Sequence, residues 1–413
     1  MLTTTATITS IYFLLRNKID FLLLFLLSTL LYNWQIISGT IWVPPYTFPA
    51  SEQSKVIISI VLMVLLFFAI VNDVKIGSTR EKKYDRSKEG DELIFFYLLL
   101  IFSYLSTAYA AYAGWGNLLS GKAEFLRSTG MTYYLITYFP AAMTFLYALT
   151  SKRYSLAFWA IIPLLFYVFI GFRAAMAVCL ACGFFILYYN QKIFRLRNFI
   201  PILVMLLIFT AFVLYKISYI DLKLLSFDTI SRILELDSRF DNLAGFLLYA
   251  FFSAEFGQQA SNLSLTSSQN LSDYYSFNSA VVGSIPVVDD LVGIGEQESR
   301  FSTVIEARAN PGFSYGLGSS IWGEIFQAGG FVGVFIFSLI IIFIITQFNL
   351  AFHTSKESTV IFLYVLGFLA FYVHRNDFVL VIASIKNILF FTIFILFCYW
   401  LFKDKLTFYS KKN

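Results

Sequence analysis

The residues of this chain that could do chemistry are arginines and carboxylates placed in or beside long apolar runs. Arg173 stands in Ile170-Gly171-Phe172-Arg173-Ala174-Ala175. A guanidinium framed by small residues at the mouth of two apolar segments can clamp a diphosphate with two parallel hydrogen bonds. The alternative is a topological anchor that snorkels to lipid headgroups. Arg232 and Arg239, seven apart, and Arg300 and Arg308, eight apart, could present further cations to phosphate or sugar. Glu235, Asp237, Glu298 and Glu306 beside them fit ordinary salt-bridged helices equally well. Glu324 follows Gly318-Ser319-Ser320-Ile321-Trp322-Gly323 and precedes Ala328-Gly329-Gly330-Phe331-Val332-Gly333. A carboxylate near the end of an apolar run is expensive and tends to line a cavity, where it could take a proton from a hydroxyl. The glycines around it allow close helix approach, which plain packing would also explain. His374-Arg375-Asn376-Asp377 brings an imidazole, a guanidinium and a carboxylate into one tight turn, or is simply a hydrophilic tip. Tyr274, Tyr315 and Trp322 could stack on sugar faces, although membrane-interface belts also collect such residues.

These residues need elements to hold them, and the composition says which. Hydrophobic residues make up 58% and charged residues 13% of the 413, against roughly 25% charged in an average soluble protein. Runs of about twenty apolar residues recur, enough to cross about 30 Å of hydrocarbon as helix. Continuous apolar character excludes alternating barrel strands, so the fold class is an all-α polytopic membrane protein. Ten spans are expected, near 20–38, 56–72, 92–113, 131–150, 155–171, 174–190, 199–219, 318–347, 359–373 and 378–401. The first run, from about Phe21 to Ile37, is too long for a cleavable signal and is expected to remain as a helix. Eighteen Lys and Arg fall in one set of span flanks and five in the other, which puts the first set and both termini in the cytoplasm.

Three parts follow: an N-terminal bundle of about seven spans over 1–219, a large outer loop over 220–317, and a C-terminal bundle of about three spans with a tail over 318–413. The loop carries twelve acidic and five basic residues, four of them Arg, so its arginines stand out against a net negative background. Residues 231–241 and 296–310 read as short helices, the second stopped by Pro311-Gly312, and 243–252 as a surface or re-entrant helix. The Ser/Asn/Gln-rich middle, from Ser261 to Asn270, reads as a mobile loop. Cys179 and Cys182 have redox spacing but lie in an apolar run without the strand-then-helix setting such chemistry needs, so they are read as packing.

With those residues in place, the chain resembles the Wzy-type O-antigen and oligosaccharide repeat-unit polymerases of bacterial inner membranes. The likeness rests on one large late loop among many spans, on Gly171-Phe172-Arg173-Ala174, and on Gly316 to Glu324 followed by Gly329-Gly330-Phe331-Val332-Gly333. It implies a metal-independent glycosyltransferase of the inner membrane that needs no cofactor. Its substrate would be an undecaprenyl-diphosphate-linked oligosaccharide, with the growing chain moved to an incoming unit at the periplasmic face. Arg173, with Arg239, Arg308 or Arg375 and further Arg232 and Arg300, would then hold diphosphate, and Glu324 or Glu306 would act as base. Trp322, Tyr315 and Tyr274 would meet sugar. Membrane lipids surround the protein, the resemblance leaves room for a chain-length regulator protein as partner, and no nucleic acid is expected. The related ligases place a histidine in the large loop, and residues 220–317 contain none. A lipid-linked oligosaccharide flippase or another transporter is the alternative from a different class, and it would favour short loops throughout.

Overall fold

Helix dominates because an apolar segment in lipid can satisfy its backbone groups only within itself. The structure, a computed structural model, describes residues 1–43, 46–77, 89–118, 125, 131–172, 174–189, 191–192, 258–269, 271, 276–277, 281, 301, 319–353 and 362–410. Along the chain come α1 (Leu2–Arg16), α2 (Phe21–Ser38), β1 (Thr40–Val43), β2 (Tyr46–Pro49), α3 (Glu52–Gly77), α4 (Glu89–Ala113) and α5 (Met131–Thr150). There follow α6 (Tyr154–Ile170), α7 (Ala174–Leu187), α8 (Gln258–Ser268), α9 (Ile321–His353), α10 (Leu363–Gly367) and α11 (Phe378–Ser410). Among the described residues five segments are long and apolar enough to cross a membrane: Phe21–Ser38, Glu52–Lys75, Phe96–Ala113, Ile321–His353 and Phe378–Cys398. Tyr154–Ile170, Ala174–Leu187 and Leu363–Arg375 are shorter apolar helices. The expected span at 199–219 and most of the loop 220–317 lie outside the described residues. By packing, the chain divides into two units, each assembled from three stretches of sequence.

The first unit comprises Met1–Arg80, Tyr188–Leu350 and Phe368–Ala383. One end of it is tied by a buried polar knot. Asp20 caps α2 by accepting from the Leu23 backbone N–H at 3.0 Å and also receives the Arg16 guanidinium. Arg16 reaches Asp73 of α3 at 2.7 Å, and the Tyr12 hydroxyl donates to the same carboxylate at 2.8 Å. Burial by itself would pull the Arg16 guanidinium down, but Asp20 and Asp73 override it and hold its pKa above the ordinary arginine value. Asn349 of α9 donates to Asp20 at 3.3 Å and accepts from Tyr189 at 3.1 Å. Four segments distant in sequence are thereby joined at their ends.

At the other end, α2 stops where Gly39 takes the left-handed conformation that L side chains resist. The chain then forms the β1–β2 hairpin, paired Thr40 with Pro49 through Val43 with Tyr46. The edge left by β1 is occupied by a side chain: the Gln35 carboxamide both gives to the Trp42 carbonyl and takes from its N–H, each at 3.1 Å. Neither α1 nor this hairpin is among the spans the sequence suggests.

Two further departures matter for function. The Ser/Asn/Gln-rich stretch expected as a mobile loop is the helix α8, and most of it is buried against α2, α3 and β1. Its small side chains allow close approach and return hydrogen bonds to their own helix, as Thr266 does to the Asn262 carbonyl at 2.6 Å. The second departure is α9, which is not one straight rod. Gly329 and Gly330 leave helical geometry, Gly330 at φ 58°, ψ −154°. A Cβ on Gly333 would lie 3.1 Å from the Ile325 carbonyl oxygen, whereas residues eight apart in a straight helix are about 12 Å apart along the axis. The chain therefore folds sharply at the glycine pair into a short leg, 321–328, and a long leg, 331–353, the latter about 34 Å and able to cross alone.

The second unit comprises Glu81–Leu187, Ala351–Gly367 and Ser384–Asn413. Its centre is α5, packed on α4, α6 and α7. Phe96 and Tyr147 stack with ring centroids 3.8 Å apart, and Phe139 meets Tyr364 edge-on at 5.6 Å. Cys179 and Cys182 are free and fully buried. A Cβ on Gly367 of α10 would sit 2.9 Å from the Cys182 sulfur, so that thiol fills the contact between α10 and α7 as a small apolar group.

Candidate active site

The candidate site lies in the first unit, where the short leg of α9 meets α2 and the chain entering α11. Between α10 and α11 the backbone loosens into a π-helical turn, Phe368–Tyr372, and then a 3-10 turn, Val373–Arg375. Such widened turns leave carbonyls out of the regular ladder, and Ser28 of α2 donates to one of them, Ala370, at 2.7 Å. The next residues, His374 to Asp377, are the turn that the sequence placed before the last span. His374, Asn376 and Asp377 are buried and Arg375 is half-buried, so the turn is not an open hydrophilic tip.

His374 is fully buried and joins three elements. Its Nδ1 accepts from the Trp322 indole N–H at 2.9 Å, and its Nε2 lies 3.1 Å from the Ser28 hydroxyl and 3.3 Å from that of Thr29. The rings of Phe25, Tyr32 and Trp322 surround it at centroid distances of 4.9, 5.8 and 5.7 Å. Glu324, two residues beyond Trp322, is also fully buried, and its Oε2 accepts from the Phe378 N–H at the start of α11. Asp377 accepts from the Leu380 N–H at 2.8 Å. Two carboxylates thus serve the first turn of α11, where unpaired N–H groups and the helix dipole favour negative charge. The short leg itself is steered by Gln327, which donates to the Thr266 and Gln269 carbonyls and accepts from the Leu271 N–H.

Of the residues the sequence singles out, the structure brings Trp322, Glu324 and Arg375 together, with Trp322 inside the wall rather than on its surface. Arg173, Arg232, Arg239, Arg300, Arg308, Glu306, Tyr274 and Tyr315 lie outside the described residues. Sequence reasoning missed the part played by His374, Ser28 and Thr29. The turn was visible as a charge cluster, but the Ser-Thr pair in α2 carries no signal that it faces a histidine about 345 residues away.

Among the described residues, five helices long and apolar enough to cross a membrane, one of them broken at a glycine pair, define a polytopic helical membrane protein. Residues 298–407 match the family model described as O-antigen polysaccharide polymerase Wzy, the family type that the sequence resembles. The match supports O-antigen polymerisation in general terms. The matched stretch contains Trp322, Glu324, His374, Arg375 and Asp377. No curated protein and no solved structure matches the chain.

Proposed function

We propose that this chain polymerises undecaprenyl-diphosphate-linked oligosaccharide repeat units at the periplasmic face of the bacterial inner membrane. What supports this most is that the Wzy match at 298–407 falls on the same residues that build the buried turn and the broken helix. In the reaction, a hydroxyl of the incoming unit attacks the anomeric carbon of the growing chain. The bond from that carbon to the diphosphate oxygen breaks, and the lipid diphosphate leaves with the electron pair. The hydroxyl proton goes to a carboxylate, Glu324 or Glu306 in this reading. Charge gathering on the leaving diphosphate calls for fixed cations. Arg375 in the turn would supply one, with Arg173, Arg239, Arg308, Arg232 and Arg300 as the others. Tyr274 and Tyr315 would stack on sugar, while Trp322 serves the site by fixing His374. The reaction as written needs neither metal nor cofactor. Large-loop placement, cytoplasmic termini and a chain-length regulator as partner belong to the same proposal.

The test is a deletion strain complemented with this chain. Loss of the gene product should leave single repeats on the surface glycolipid, and wild-type chain should restore long polymer. Units trapped on the cytoplasmic side after deletion would instead indicate a flippase. Arg173→Ala and Glu324→Gln should both shorten or abolish polymer at normal protein levels. Glu324→Gln keeps an oxygen that can accept from Phe378, so full polymer from that variant would make Glu324 only the cap of α11.

A further inference from the structure

The polar accounts of α8 close over its second half and stay open over its first. Ser264 accepts from the Ser51 N–H at 2.8 Å, and Ser267 shares a hydroxyl bond with Ser51 at 2.8 Å. Thr266, Ser267 and Ser268 return hydrogen bonds to their own helix, and Gln327 closes the end. Upstream, both polar atoms of the Gln259 side chain and the Ser261 hydroxyl have no hydrogen-bond partner among the described residues, and the same is true of the Ser320 hydroxyl. Gln259 is 1% exposed, and Ser261 and Ser320 are 0% exposed. Buried polar groups left unpaired are costly and uncommon, and each calls for a reason.

The register of the two helices puts Gln259 and Ser320 near one another, with Ser261 on the face of α8 that Ser264 turns to Ser51. A Cβ on Gly323 would meet Thr266 and then Leu263 of α8, while Gln327 meets Thr266, Gln269 and Leu271. The short leg of α9 therefore runs alongside α8 in the same direction. One turn back from the Gly323 contact is Ser320 on one side, and one turn back from Leu263 is Gln259 on the other. Asn33, at the kink in α2, adds a further buried oxygen without a partner among the described residues, and α2 packs against α8. A carboxamide that can give and take, beside a hydroxyl that does both, suits neighbouring hydroxyls of a sugar ring.

We propose that Gln259 and Ser320 form a subsite that hydrogen-bonds the hydroxyls of a sugar ring in the lipid-linked saccharide. This rests on the polymerase reading above. Ser320 lies one turn before Glu324, whose N–H bonds the Ser320 carbonyl, so the subsite would hold the sugar beside that carboxylate.

The experiment uses the full chain in nanodiscs, with undecaprenyl-diphosphate-linked repeat unit isolated from cells that lack it. Gln259→Met and Ser320→Ala are compared with wild type for polymerisation kinetics and for melting of the ligand-free protein. The expected result is a KM raised about tenfold for Gln259→Met, the effect of one lost hydrogen bond. Its kcat should stay near wild type, and its melting temperature should be unchanged or higher, because an unpaired buried amide has been removed. Titrating the repeat unit against fixed pre-extended chain, and the reverse, tells whether the sugar belongs to the acceptor or the donor. An unchanged KM overturns the subsite. So does a melting temperature that falls by several degrees in both variants, since the groups would then be holding structural water. Failure of the wild-type chain to make polymer from this probe overturns the polymerase reading itself.

Discussion

At His374 the protonation state follows from its neighbours. An indole N–H can only donate, so Nδ1 facing Trp322 must carry a lone pair. The Ser28 and Thr29 hydroxyls direct their protons at the Phe25 and Ala370 carbonyls, which leaves their oxygens to accept from Nε2–H. The ring is therefore neutral with both nitrogens engaged, which makes it a positioning residue and a poor candidate for taking a substrate proton. His374→Ala should leave the Trp322 N–H buried and unpaired at about 1–3 kcal/mol, seen as a lower melting temperature in detergent together with reduced polymer. Trp322→Phe should cost a similar amount, and the double variant less than the sum, since both break one interaction. Additive losses would show that the two side chains act separately. The sequence exposed His374-Arg375-Asn376-Asp377 as a turn because its charge interrupts two apolar runs. It could not say that the imidazole turns inward, because that depends on Ser28 and Trp322, and nothing in their spacing shows that either one faces His374.

Among the elements, the helix boundaries of the apolar segments were the most legible part. The runs expected at 20–38, 131–150 and 155–171 became Phe21–Ser38, Met131–Thr150 and Tyr154–Ile170. That is the expected outcome when a lipid-compatible run has no other way to satisfy its backbone. Legibility fails where polarity and backbone geometry disagree. The composition of α8 reads as loop, yet Ser and Thr can bury themselves by bonding back to their own helix. Ala328-Gly329-Gly330 reads as a close-packing stripe, yet Gly330 takes a conformation that only glycine holds cheaply. The contact between these two elements can be tested directly. A Cβ at Gly323 would clash with the Thr266 hydroxyl, so Gly323→Ala must push α8 off the short leg. The expected loss is about 1–3 kcal/mol, the usual range for overpacking. Thr266→Ala in the same chain removes the obstructing atoms and should restore most of the melting temperature. No recovery in the double variant would mean that α8 and α9 do not meet there.

For the whole molecule, the question that governs the chemistry is which membrane face the candidate site occupies. The bias of Lys and Arg predicts cytoplasmic chain termini, and the structure ties the site to one end of α3. Within the first unit α8 contacts both β1 and α3, and its Thr266 meets the short leg of α9 beside Trp322. The hairpin and the site therefore share an end, while Arg16, Asp20 and Asp73 mark the other. Thr47 in the hairpin and Lys75 near the close of α3 are both exposed, and α3 between them spans more than 30 Å at about 1.5 Å per residue. Cys179 and Cys182 are buried, so replacing Cys398 gives a background with no accessible thiol among the described residues. In that background Thr47→Cys should react with a membrane-impermeant maleimide in intact spheroplasts, and Lys75→Cys only in inside-out vesicles. The result would place the His374 turn and α8 on the face where lipid-linked sugars await polymerisation. The reverse pattern would put them in the cytoplasm, where arginines holding a translocated lipid diphosphate would have nothing to hold, and the polymerase reading would fall with the topology.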